Sequence, residues 1–186
     1  YKNATLKVYG VPIFYFPRFF HPDPTVKRKS GFLTPSFSNS TSLGLGFDLP
    51  YYWATNSDKD MTITPRLYAK ENILLLNEYR QAYDNGFLTL DYSYAKGYKE
   101  TSSTKTKGSR NHIFAELDLN LTENESYKSD LSVKLQKVSN DTFFRVHNIN
   151  TALVDSENTD LENSISYKLN GENAYFDISA TAYENL

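Results

Sequence analysis

Apolar and polar residues alternate along most of this chain with a period of two. That is the spacing of a β-strand whose two faces meet different surroundings. The longest unbroken run spans Ser42 to Trp53. Leu43, Leu45, Phe47, Leu49, Tyr51 and Trp53 fall on one face, and Ser42, Gly44, Gly46, Asp48, Pro50 and Tyr52 on the other. At about 3.3 Å per residue and a tilt of about 45°, such a strand rises about 28 Å, close to the hydrocarbon thickness of a bilayer. Tyr51, Tyr52 and Trp53 gather at its far end, where aromatics suit a membrane–water boundary.

The same alternation returns down the chain. Met61, Ile63, Pro65, Leu67 and Ala69 oppose Thr62, Thr64, Arg66 and Tyr68. The run Ile73 to Tyr83 sets Glu78 and Arg80 against Asn77, Tyr79 and Gln81, and Asp84-Asn85-Gly86 reads as a hairpin turn. Leu88, Leu90, Tyr92 and Tyr94 follow, then a long polar loop from Lys99 to Arg110. Ile113, Ala115, Leu117, Leu119 and Leu121 oppose His112, Glu116, Asp118 and Asn120, with Phe114 as the exception. Leu131, Val133 and Leu135 mark another strand, Thr142 to Arg145 a short helical turn, and 161–169 and 174–183 two last strands. The pattern predicts about eight antiparallel strands, most joined by short turns, with almost no helix. Near the start, a short strand over Thr5 to Tyr9 precedes an aromatic run interrupted by Pro12 and Pro17, which predicts an edge strand and a linker.

Composition narrows the classes. No run approaches the 18 or so apolar residues of a membrane-spanning helix. The formal net charge of −2 gives no global basic field, against a dedicated nucleic-acid binder. With Cys 0, the chain offers no disulfide, zinc-thiolate site or cysteine nucleophile. It opens without an initiator Met in what already reads as a strand, as expected of an internal fragment. Lys27-Arg28-Lys29 is the one compact basic cluster, either a solvated turn or a patch for phosphates of lipid or nucleic acid. His21 and Asp23 stand close enough for a metal pair but lie in a proline-rich turn.

Alternation alone cannot tell inside from outside. In a soluble β-sandwich the polar face is wet. In a membrane barrel the apolar face meets lipid, and Asp48, Arg66, Glu78, Arg80, Glu116 and Asp118 line a wet lumen. The sandwich alternative would be a carbohydrate-binding module or a glycosidase using Asp48, Glu78 or Glu116 as acids, although no spacing singles out a carboxylate pair.

Longer motifs favour the barrel. Val11-Pro12-Ile13-Phe14-Tyr15-Phe16-Pro17, Arg28-Lys29-Ser30-Gly31-Phe32-Leu33-Thr34-Pro35-Ser36, Pro50-Tyr51-Tyr52-Trp53, Asp60-Met61-Thr62-Ile63-Thr64-Pro65-Arg66 and Val138-Ser139-Asn140-Asp141-Thr142-Phe143-Phe144-Arg145 occur in order. In these the chain resembles the LptD (OstA) family of lipopolysaccharide-assembly proteins. The resemblance implies an all-β fold: the end of a periplasmic β-jellyroll and linker over residues 1–33, then the first strands of a large antiparallel transmembrane β-barrel over 34–186. It implies a translocon of the Gram-negative outer membrane, not an enzyme, without cofactor or metal. Its partners would be lipopolysaccharide, the plug lipoprotein LptE and, through the missing jellyroll, the bridge protein LptA.

The resemblance also places Pro50 and Pro65 on the first two strands, at a lateral gate through which acyl chains leave. Proline has no N–H, so each removes one possible ladder bond. Pro50 lies in the polar set and Pro65 in the apolar set, so they are expected on adjacent rungs, not opposite each other. Gly44 and Gly46 are expected to loosen the first strand and leave its lumen side open. The fragment is expected not to close on itself, leaving its first and last strands as unpaired edges.

Overall fold

The computed structural model describes residues 2–8, 10–18, 28–102, 107–123, 126–140, 142–154, 157 and 159–185. Lys27, His21 and Asp23, and with them the metal pair and part of the basic cluster, lie outside the described residues. The described residues form strands β1 (Lys2–Val8), β2 (Val11–Arg18), β3 (Gly31–Phe32), β4 (Ser36–Ser40), β5 (Gly44–Asp48), β6 (Tyr51–Trp53) and β7 (Lys59–Tyr68). There follow β8 (Leu74–Tyr83), β9 (Gly86–Ala95), β10 (Arg110–Glu123), β11 (Tyr127–Val138), the short helix α1 (Phe143–Val146), β12 (Asp160–Gly171) and β13 (Tyr175–Asn185).

β1 and β2 form a two-stranded antiparallel sheet of their own. The register slips between Leu6 and Lys7, opposite Pro12, leaving Ile13 without a partner. Among the described residues β1 and β2 pair only with each other, and such edge strands are where proline is tolerated, as at Pro12 and Pro17.

The remaining eleven strands make one sheet, in the order β13-β12-β11-β10-β9-β8-β7-β5-β4, with β6 paired to β3 and β7. Every pairing is antiparallel between sequence neighbours, apart from the local crossing of β3 to β6 and β5 to β7. The sheet is open, with β13 at one end and β4 at the other, so the expectation that it does not close agrees with the topology.

The expected continuous strand from Ser42 to Trp53 is two strands, and it is not an edge. β5 and β6 are separated by Leu49 and Pro50, β4 pairs outside β5, and β3 pairs outside β6. Leu43 also leaves the expected face. It sits in the β4–β5 turn at 1% exposure, whereas Leu45 on the strand is 55% exposed. The turn accounts for this: Gly44, the first residue of β5, has φ +75°, a left-handed conformation that breaks the alternation there.

Gly86 has a different cause. The hairpin turn is Asp84-Asn85, with Tyr83 opposite Gly86, and Gly86 is already strand. A β-carbon there would collide with the Asp118 carbonyl and lie 2.9 Å from the Leu119 α-carbon. The glycine therefore lets β10 approach β9 closely; no positive φ is involved.

The register assigns every strand's side chains to one of two faces. One carries Leu45, Leu67, Leu75, Tyr92, Ile113, Leu135, Ile165 and Ile178, all exposed. The other carries most of the charges, Lys59 and Lys137 being exceptions, and chain segment 142–154 folds across part of it. α1 starts after Asn140, whose carbonyl accepts from the Phe143 N–H at 3.1 Å. It ends at Val146, and Asn148, with a φ of 46°, then turns the chain back. Phe143, Phe144, Ile149 and Val154 then bury against Leu74, Ala95, Phe114, Val138 and Leu161. Phe114, the exception in the alternation, is on the polar face because it lies beneath Phe144, ring centroids 5.4 Å apart and nearly perpendicular.

Candidate functional site: the proline seam and the charged face

The register runs unbroken from Asp48 opposite Arg66 to Tyr51 opposite Ile63. Leu49 therefore faces Pro65, and Pro50 faces Thr64, so the prolines occupy adjacent rungs, as their sets require. In an antiparallel ladder, alternate pairs exchange two bonds. Leu49 and Pro65 are such a pair, but only the Leu49 N–H donates, to the Pro65 carbonyl at 3.2 Å. The return bond is missing because Pro65 has no N–H.

Pro50 makes the same defect on its other side. The Leu33 N–H donates to the Pro50 carbonyl at 2.9 Å, and Pro50 has no N–H to give back. The two prolines thus weaken two different seams, one towards β7 and one towards β3. Each missing bond is worth about 1 kcal/mol net in water.

Side chains bridge the first seam where the ladder is thin. Arg66 grips Asp48 with both ends of its guanidinium, Nε to Oδ1 at 2.7 Å and Nη2 to Oδ2 at 2.9 Å. Its Nη1 donates to the His147 carbonyl at 2.6 Å, and the Tyr68 hydroxyl meets His147 Nδ1 at 2.9 Å. The strand carrying Pro65 is thereby tied both to β5 and to the inner segment. Burial, with Arg66 and Arg110 nearby, pushes the His147 imidazole down to about 4, against a smaller upward pull from Glu71.

A second cluster lies along the same face. Asp60 is buried and accepts from Arg80 Nε at 2.8 Å and the Tyr52 hydroxyl at 3.1 Å, and Arg28 approaches it at 3.1 Å. Arg28 is thus engaged with a carboxylate, while Lys29 is exposed. Arg80 also contacts Glu78 at 3.3 Å. Glu78 stands opposite Asp91, which stands opposite Phe114, and this register puts Glu116 and Asp118 on the face shared by Asp48, Arg66, Glu78 and Arg80. The six expected residues share a face without converging on one point: Asp118 accepts from Ser132 at 2.6 Å, far along the sheet from the proline seam.

The two glycines need a correction. The space over Gly46 is not open: a β-carbon would meet the Ser38 hydroxyl oxygen, with the Tyr68 ring at 3.3 Å, and Gly46 is itself buried. Gly44 is buried too, with the Lys70 side chain 3.0 Å from where its β-carbon would lie. These glycines let neighbouring side chains close in over the strand.

Reading the sequence missed Asp60, Tyr52, Asp91, His112 and His147. The one signal for an inner covering was Phe114, an aromatic on the polar face.

A sequence profile described as LptD protein matches residues 1–185. This chain belongs to the LptD family. The LptD relatives include the LPS-assembly protein LptD of Chromobacterium violaceum, 30% identical over 99% of this chain and 22% of the relative. That of Nitrosococcus oceani is 33% identical over 74% of this chain and 20% of its own length. That of Pseudoalteromonas translucida is 44% identical over 42% of this chain and 10% of its own. This chain thus spans about a fifth of the length of the LptD relatives matched along most of it.

Proposed function

We propose that this chain is part of an outer-membrane translocon that delivers lipopolysaccharide to the outer leaflet. The observation that carries the reading is the sheet's inverted dress. One face is apolar and exposed, from Leu45 through Ile113 to Ile178, and the charged face is covered around Leu74, Ala95 and Phe114 by the protein's own segment 142–154. A sandwich would bury the first and wet the second; a barrel in lipid needs the arrangement found here. Among the described residues no helix is long and apolar enough to cross a membrane, so crossing would fall to strands. The relatives' name, LPS-assembly protein, supplies the cargo.

In this reading the hairpin β1–β2 and the linker after it are the end of a periplasmic jellyroll; the linker's last residues, in β3, already pair with the large sheet, and residues from 34 on begin the barrel. Asp48, Arg66, Glu78, Arg80, Glu116 and Asp118 line its lumen. The lipoprotein LptE plugs it, and LptA delivers cargo to the jellyroll. Lys29, with Lys27, would meet lipid phosphates, Arg28 being shared with Asp60. The gate is the thinly laddered region around Pro50 and Pro65, held between openings by the Asp48–Arg66 pair and the packing over Gly44 and Gly46.

The test is Pro50→Ala with Pro65→Ala in the full-length protein, which supplies the two absent donors. The expected result is a normally assembled barrel that delivers lipopolysaccharide more slowly, with an outer membrane more permeable to large antibiotics. Measuring folded barrel beside surface lipopolysaccharide separates slow transport from poor folding. Normal delivery by a well-folded double variant removes the gate and leaves the prolines as strand punctuation.

A further inference from the structure

A cavity of about 380 Å³ lies between the charged face and the inner segment, walled by Leu33, Tyr52, Thr62, Asp91, His112 and Ile149 among others. Two of its walls carry buried polar atoms with no hydrogen-bond partner among the described residues, Asp91 Oδ2 and His112 Nε2. Asp91 is 4% exposed and His112 1%. Leaving such atoms unpaired is costly, so each calls for a ligand atom or water. Glu78 stands opposite Asp91 and also lines the space.

The chemistry selects among ligands. A phosphate only accepts hydrogen bonds in this setting and would face two carboxylates. An ammonium only donates, so it satisfies His112 in one tautomer and not the other. His112 Nδ1 is paired with the Ser93 hydroxyl at 2.6 Å, which permits either arrangement. A hydroxyl both donates and accepts, and satisfies Asp91 and either tautomer. Several hydroxyls on one apolar-faced ring would also use the walls of Leu33, Tyr52 and Ile149. The volume suits a sugar ring.

We infer that this cavity is a saccharide subsite, in which Asp91 and His112 hold adjacent hydroxyls of a pyranose ring. The inference rests on the lumen reading above, since it supposes that this face meets sugars. It adds a place where a passing saccharide pauses. Asp91 takes the proton-bearing side of the hydroxyls, His112 completes the pair, and Thr62 forms part of the wall.

The test uses the full-length protein in complex with its plug partner, in detergent, titrated with methyl α-glucopyranoside and with delipidated lipopolysaccharide oligosaccharide. The variants are Asp91→Asn, which removes an acceptor at constant size, and Thr62→Phe, which fills the cavity from a residue with neither orphaned atom. Both variants are expected to weaken oligosaccharide binding by about tenfold at unchanged thermal midpoint, Asp91→Asn through the loss of one good hydrogen bond to a charged group and Thr62→Phe through the loss of space for the ring. Equal binding by wild type and both variants, or no saccharide binding with only ordered water in the cavity, overturns the subsite. Binding of the simple pyranoside without the oligosaccharide overturns lipopolysaccharide as the source of the sugar. Surface delivery of lipopolysaccharide by the wild type is scored separately. Its absence sinks the transport reading, whereas normal delivery with unaltered saccharide binding in the variants sinks only the subsite.

Discussion

His147 fastens the inner segment to the seam. Its carbonyl holds Arg66 and its ring meets Tyr68, so one residue joins the covering segment to the strand that carries Pro65. The groups facing it are Arg66 and Tyr68 from β7, Arg110 from β10, and Glu71 from the β7–β8 turn. Its pKa in the folded protein is about 4, below the roughly 6.5 of an unfolded chain. The folded form therefore binds fewer protons between these values, and acid favours undocking. Attachment is complete above about pH 6.5, declines as pH falls towards 4, and changes little below that, by at most about 3 kcal/mol. Protection of residues 142–154 against hydrogen exchange, taken relative to the intrinsic rate at each pH, should fall between pH 6.5 and 4 in the full-length protein, and His147→Gln should flatten that fall. Protection equally independent of pH in both proteins would show that the imidazole is not the fastening.

Among the elements, the segment between β11 and β12 decides which face of the sheet is inside. Phe144 is fully buried, edge-on to Phe114 and to the His112 ring. Phe144→Ala should cost about 3–5 kcal/mol of docking energy and open the segment to protease while leaving β7 to β12 paired. Protection of the segment equal to wild type would mean that its rings do not hold it down.

The strands themselves were legible from β7 onwards, because each keeps an alternation that only a half-covered strand needs. The helical turn at Phe143 was legible too. Illegible were the break at Leu49-Pro50 and the extra strands β3 and β4. Their short pairings depend on neighbours that bring no periodicity of their own. The glycines misled for a related reason. A missing side chain reads as open space at Gly46 and as a turn at Gly86, yet at both it is where another chain segment closes in. The charged residues of the face were legible one by one. Their partners were not, since Asp60 meets Arg28 and Arg80 only through pairings distant in sequence.

For the whole molecule the question is what touches the bare apolar face. Its area continues from β5 across to β13, with Ile165 and Ile178 as exposed as Leu45. Neighbouring positions on β12 give a matched comparison: Ile165 points to the apolar face and Ser166 to the charged one, within the same hydrogen-bonded pairing to β11 and β13. In water, arginine would be tolerated at Ile165 and Ser166 alike, since neither is buried. In a bilayer the two separate, because a lipid-facing arginine near the midplane costs about 2–4 kcal/mol whereas a lumen-facing one keeps its water. Ile165→Arg in the full-length protein should therefore lower the amount of folded barrel in the membrane, and Leu45→Arg should do the same at the other end of the sheet. Ser166→Arg should assemble nearly as well as wild type. Heat-modifiable mobility of the barrel on gels, read beside total protein, measures all three. Equal tolerance of arginine on both faces would remove lipid as the partner of the apolar face, and the transport reading would lose the observation it stands on.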